Sequence, residues 1–228
     1  MDVIKKIGKT DASTVYHVVL DGCDYAMKKI KHDTHGVSIE ALREIHCLTT
    51  LVSPHVVTLY HVEFDSKNTI LLLELASTDL RHYIDHYDYD CDEVLKQIIL
   101  SVSVCHQHNI MHRDIKPQNF LVYIYPNETV LKIADFGLAA EDVVGYHSDN
   151  VVSMWYRAPE VLANEPYDKT IDIWSVGCVF YELITKNVLY KGRSEQHQLL
   201  LIRHTVIDGI ADSDKTILLN MLNKRLMF

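Results

Sequence analysis

A change of texture near Asp79 constrains this chain more than any other feature. Before it, apolar residues come in short alternating or β-branched runs; after it, they recur at helical spacing. Residues 3–7 alternate, and residues 14–20 are rich in β-branched and aromatic side chains. Asp21-Gly22 then offers a hairpin turn before a third strand over residues 25–30. Residues 38–51 place Ile39, Leu42, Ile45, Leu48 and Leu51 in a stripe down one helical face. Two more strands follow near 56–64 and 69–75, giving a sheet of about five strands with one helix, ending near Ala76. Beyond Asp79, helices are expected over 91–107 and 171–184. The second of these is apolar almost all round, which places it in the middle of a domain. The expected class is α+β and bilobal: a β-rich lobe over about 1–76, a hinge near 74–79 and a helical lobe over 80–228. A ligand is expected in the cleft between the lobes.

At 228 residues the chain can bury a real core but is short for two full domains, so one domain over 1–228 is expected. A formal charge of −9 argues against non-specific binding to nucleic acid or anionic lipid. The five cysteines are odd in number and scattered, with no C-x-x-C pair, which suits a reducing compartment, nucleus or cytoplasm. No signal peptide is expected at the N-terminus, and the longest apolar runs are too short to span a bilayer. Cys105-His106-Gln107-His108 reads as a helix end with solvated imidazoles, since a third and fourth metal ligand are missing.

The chemistry concentrates in His112-Arg113-Asp114-Ile115-Lys116-Pro117-Gln118-Asn119, with Asp135-Phe136-Gly137 following an apolar strand. Phosphoryl transfer from a magnesium nucleotide needs this inventory: a proton acceptor, a cation and oxygen ligands for metal. Asp114 is the candidate base for a substrate hydroxyl, and Lys116 the cation on the transferring phosphate. Asn119 and Asp135 are the candidate ligands of Mg²⁺. Either residue alone would more simply be a turn cap; the ordered set argues for the chemistry.

This pattern resembles the catalytic and metal loops of protein kinases, and the resemblance covers the chain from Ile7 to about Arg225. It implies that Lys28 holds the α- and β-phosphates of ATP, with Glu44 as its ion-pair partner. It also implies a nucleotide pocket of Ile7, Gly8, Val15, Ala26, Glu74, Ala76 and Leu121. The phosphate-covering loop departs from the family: Thr10 and Ser13 replace the second and third glycines, and Asp11 adds negative charge. Ser153 falls where Ser/Thr kinases carry a hydroxyl contacting the catalytic Asp and Lys. Glu160 is expected to pair with Arg225, and Asp172 to hold the catalytic-loop backbone.

Trp155-Tyr156-Arg157-Ala158-Pro159-Glu160 is similar to the proline-directed group, where the arginine matching Arg157 shapes a pocket for proline after the phosphorylated residue. With Lys116-Pro117-Gln118-Asn119, Asp135-Phe136-Gly137-Leu138-Ala139 and Asp172-Ile173-Trp174-Ser175, the chain most resembles a cyclin-dependent kinase. The 38–51 segment lies where that family has its cyclin-contact helix. A Ser/Thr kinase of protein substrates is therefore expected, using ATP and Mg²⁺, in cell-cycle or transcription control. A pseudokinase scaffold and a small-molecule phosphotransferase are the alternatives. Ser148 aligns with the activating threonine; Arg43 and Arg113 match two of three phosphate-binding arginines, and Ala140 stands at the third. Asp11-Ala12 replaces the inhibitory Thr-Tyr pair, and the segment after Gly192 is shortened.

Overall fold

The computed structural model describes residues 1–143 and 153–207. At the Asp21-Gly22 turn both residues are left-handed, φ 52° and 81°, the geometry that lets a two-residue turn match strand twist. The hairpin therefore closes with Leu20 opposite Cys23, joining β2 (Ser13–Leu20) to β3 (Cys23–Lys31). With β1 (Asp2–Lys9), β4 (Leu59–Phe64) and β5 (Asn68–Glu74) these form an antiparallel sheet in the order β1-β2-β3-β5-β4. The fourth strand starts at Leu59, later than the 56 expected. Val56 instead bridges in parallel to Ile133, and Val57 N donates to the Ile133 carbonyl at 3.0 Å, tying the sheet's lobe to the next.

Helix α1 (Ile39–Thr50) begins at Ser38, whose Oγ accepts from Ala41 N at 3.3 Å. The expected apolar stripe packs in its second half, where Leu48 and Leu51 are buried and Ile45 lies against the core, but not in its first. Ala41, Glu44, Cys47 and Leu48 are buried, while Ile39 and Leu42 are 52% and 48% exposed. At 3.6 residues per turn, seating Glu44 inward turns Ile39 and Leu42 outward. The electrostatic pairing of Glu44, described below, is met at the expense of two exposed apolar side chains.

The second lobe runs through β6 (Thr78–Asp79), α2 (Leu80–His86), α3 (Cys91–Gln107), β7 (Ile110–Met111), β8 (Phe120–Ile124), β9 (Thr129–Ile133) and β10 (Ala140–Glu141). Then come α4 (Pro159–Leu162), α5 (Thr170–Thr185) and α6 (Glu195–Ile207). Two small sheets, β6-β8-β9 and β7-β10, frame the catalytic loop. Asp90 caps α3 by accepting from Asp92 N and Glu93 N. In α5 Ile171, Val176, Val179, Phe180 and Leu183 are buried, as a central helix requires, but Ile173 and Trp174 are half-buried and Ile184 is exposed. One apolar cluster runs from Ala26 and Leu73 in the sheet through Ile133 and Phe136 to Phe180 in α5. Each large apolar side chain in it contributes about 1.5–3 kcal/mol on burial, so the same cluster that stabilises the lobes also holds the loops between them.

Candidate active site

Two residues at the centre of the molecule adopt left-handed backbone without being glycine: Arg113 at φ 63° and Asp135 at φ 67°. Such conformations cost about 1–3 kcal/mol and persist only where neighbours over-determine them. For the first, the neighbour is Asp172, buried at the start of α5. Its carboxylate accepts from His112 N at 2.8 Å and Arg113 N at 2.9 Å, and lies 2.9 Å from His106 Nε2. His112 Nδ1 accepts from Asp114 N, so Nε2 carries the proton that it donates to the Ala134 carbonyl at 3.0 Å. The imidazole also meets the Phe136 ring edge-on, centroids 5.0 Å apart. The two loops are thus one hydrogen-bonded unit.

Asp114 is buried, and its carboxylate has four donors. Oδ2 accepts from Lys116 Nζ at 2.6 Å and Asn119 Nδ2 at 2.9 Å; Oδ1 accepts from Ser153 N at 3.0 Å and Ser153 Oγ at 3.1 Å. Lys116 Nζ also donates to Ser153 Oγ at 3.0 Å. Asp114, Lys116 and Asn119 of one short motif and the distant Ser153 therefore meet around one carboxylate. Asn119 spends its amide nitrogen on Asp114, and its Oδ1 makes no hydrogen bond among the described residues.

Lys28, on β3, lies with its Nζ 2.7 Å from both oxygens of Glu44 and 2.8 Å from Asp135 Oδ1. Burial acts to lower the Lys28 pKa, but the two carboxylates outweigh it and hold the ammonium above its ordinary range. Lys28 in turn draws Asp135 below the usual carboxylate range, against burial. Burial pushes the Glu44 carboxyl up, against the pull of Lys28. The side chain of Asp135 is 41% exposed, and its Oδ2 makes no hydrogen bond among the described residues.

The expected nucleotide pocket is assembled in part. Val15, Ala26 and Leu121 join the apolar cluster below the sheet, while Ile7 is exposed at its rim. The Ala76 N–H has no partner among the described residues. The Glu74 side chain accepts from Lys132 Nζ at 2.8 Å on both oxygens and from Thr58 N at 2.8 Å, while its backbone N–H donates to the Thr58 carbonyl at 3.1 Å. After Gly8, the roof is a clipped turn. Thr10 N donates to the Ser13 carbonyl at 2.9 Å, Ser13 N to Thr10 Oγ1 at 3.0 Å, and the two hydroxyls lie 2.9 Å apart. The residues that replace glycine bond to each other.

On the far side of Asp114, Arg157 is buried and pairs with Glu195 of α6 at 2.5 Å. Arg113 is buried with its guanidinium donating to the Leu138 carbonyl at 2.7 Å and to Tyr167 Oη at 3.2 Å. Arg43 is half-buried on α1, and Ala140 lies in β10. Ser148, and Arg225, the partner expected for Glu160, lie outside the described residues. Sequence reasoning missed Glu182, which is fully buried on α5, pairs with Arg81 and accepts from Tyr156 Oη at 2.7 Å. The signal was its position: an acidic residue inside an otherwise apolar helix. It also missed Glu195 and Gln198, which no local pattern marks. A cavity of about 310 Å³ between α3 and α5, lined by Ile99, Val102, His106, Ile173 and Val176, contains none of the candidate residues.

The family model for the protein kinase domain matches residues 1–224. Among solved structures, the chain is similar to one in the CAK complex from Chaetomium thermophilum bound to ATP-gamma-S, with 33% identity and a TM-score of 0.77. The match covers 88% of this chain and 67% of that one. A loop pair locked through Asp172, a carboxylate ringed by Lys116, Asn119 and Ser153, and a family match over nearly the whole sequence agree: the chain belongs to the protein kinase family.

Proposed function

We propose that this protein is an ATP-dependent Ser/Thr protein kinase of cyclin-dependent type, with preference for proline after the phosphorylated residue. The observation that carries this is the Asp114 cluster: a buried carboxylate facing a lysine, an amide and a serine hydroxyl at hydrogen-bond distance. Asp114 accepts the proton of the substrate hydroxyl. Its four lone-pair sites are filled by Lys116, Asn119 and Ser153, so the incoming hydroxyl displaces one of these donors. Lys116, released toward the phosphate, offsets the charge that develops there.

The residues present fit a magnesium nucleotide. Asp135 Oδ2 and Asn119 Oδ1 are hard oxygen donors without hydrogen bonds among the described residues, the type that Mg²⁺ takes. Lys28 is held charged by Glu44 and is placed to meet phosphate oxygens; the open Ala76 N–H suits an adenine edge. Mg-ATP, when bound, supplies the transferable phosphoryl group. The neighbour bound to ATP-gamma-S supports nucleotide use. That neighbour belongs to a complex, and the outward Ile39 and Leu42 on α1 are the kind of exposed apolar pair that a partner covers. We assign that partner as a cyclin. Arg43 and Arg113 would receive phosphate on Ser148; with Ala140 at the third position, ordering by phosphate is weaker by about 1–3 kcal/mol.

A scaffold without catalysis is the second reading, favoured by the Thr10–Ser13 clip, which ties up the turn that would cover the phosphates. The test is phosphorylation of a degenerate Ser-Pro/Thr-Pro peptide library by wild type and Asp114→Asn, alongside a Mg-ATP thermal-shift titration. Wild-type transfer that the substitution removes supports the kinase. Transfer surviving the substitution refutes the role of Asp114, and no Mg-ATP shift turns the assignment to the scaffold.

A further inference from the structure

The segment leading away from Asp114 is gripped by the second lobe almost residue by residue. Ser153 bonds Asp114; Tyr156 Oη donates to Glu182, and its carbonyl accepts from Ser175 Oγ at 2.7 Å. Trp155 and Arg157 both bond to the segment that enters α6. Gln198, fully buried, donates from Nε2 to the Trp155 carbonyl at 3.2 Å and accepts from Gly192 N at 2.8 Å. Trp155 Nε1 closes the ring by donating to the Gly192 carbonyl at 3.0 Å. The approach is close enough that a Cβ at Gly192 would sit 2.8 Å from Gln198 Cα, so a glycine is required there. Three residues earlier, on the same helical face, Glu195 takes the Arg157 guanidinium.

We propose that Glu195 and Gln198 are positioning residues that set the Trp155–Arg157 floor and thereby the enzyme's selectivity for proline. The proposal rests on the proline-directed reading above. A guanidinium carries donors only, so the N–H of an ordinary residue beside it finds no partner, whereas proline has no N–H to lose. That discrimination requires the buried guanidinium to keep one orientation. Glu195 supplies a charge-assisted bond that favours it, from a side chain 48% exposed. Gln198 holds the backbone two residues before Arg157, so the helix start and the floor move together.

The test uses the full chain and two degenerate peptide libraries, one with proline and one with alanine after a fixed serine. Initial rates at low peptide concentration give the Pro/Ala ratio, in which any loss of folded enzyme cancels. Wild type should favour proline by tenfold or more. Glu195→Gln should cut that ratio at least fivefold with KM for Mg-ATP unchanged, and Glu195→Asp should restore part of it. A Glu195→Gln ratio equal to wild type overturns this inference while leaving the proline-directed reading intact. A wild-type ratio near one, or no transfer to either library, overturns the reading and the inference together.

Discussion

The Lys28–Glu44 pair can be tested as a double-mutant cycle. Glu44→Gln keeps the shape and one acceptor oxygen but removes the charge from a side chain that is 2% exposed. Lys28 then retains Asp135 at 2.8 Å, so the loss is that of a charge-assisted bond, about 1.5–3 kcal/mol, rather than of a stranded ammonium. Lys28→Met is worse. It leaves Glu44 buried with only like charge from Asp135 nearby, a cost of about 3–5 kcal/mol if the carboxylate stays ionised. Glu44 would then take up a proton instead. A carboxyl whose folded pKa is raised above the 4.5 of the free group stabilises the fold at low pH and loses that advantage as pH rises. Lys28→Met should therefore be closer to wild type at pH 5 than at pH 8. The double variant removes both charges and should lose about 1.5–3 kcal/mol less than the sum of the singles. Chemical denaturation of the four proteins at both pH values measures this. For a chain of this size each kcal/mol corresponds to about 2–4 °C in melting temperature, so thermal melts give a cross-check. Additivity within about 0.5 kcal/mol would refute the pairing.

Other outcomes follow from the same geometry. Asp172→Asn removes the charge that holds His112 N and Arg113 N, and should lower stability by about 2–4 kcal/mol in urea unfolding and slow peptide transfer; a wild-type midpoint would show that the left-handed Arg113 needs no such support. Asp135 is drawn below its ordinary 3.8 by Lys28, so its contribution is present above that value and is lost as pH falls through the folded pKa. Asp135→Asn should accordingly flatten the acid limb of the stability profile below about pH 3.8; an unchanged limb refutes the coupling. Replacing Thr10 and Ser13 together by glycine opens the clipped turn and should lower KM for Mg-ATP; an unchanged or higher KM would show that the clip does not limit nucleotide access.

The strand assignments of the first lobe were readable because each rests on local rules: alternation, β-branching and an Asp-Gly turn. The helix over 39–50 was readable for the same reason, but its orientation was not. Periodicity pointed Ile39 and Leu42 inward, and a long-range ion pair from Glu44 to Lys28 turned them out. Hydrophobic spacing counts apolar side chains; it has no means of knowing that a lysine sixteen positions earlier will be waiting beneath the helix. The Glu74 side chain is a similar case: its bond to Lys132, 58 positions later, follows no local rule.

By itself, the sequence determined the chemical inventory and its order: Lys28, Glu44, Asp114, Lys116, Asn119 and Asp135, each on the element it occupies. Order suffices there because those residues lie in short motifs whose spacing carries their identity. Only the tertiary structure decided what each polar group bonds. It closed Thr10 onto Ser13, filled all four acceptor sites of Asp114, and brought Glu195 and Gln198 under Trp155 and Arg157. Hydrogen bonds and ion pairs act over about 3 Å, and a chain must be packed before distant residues come that near.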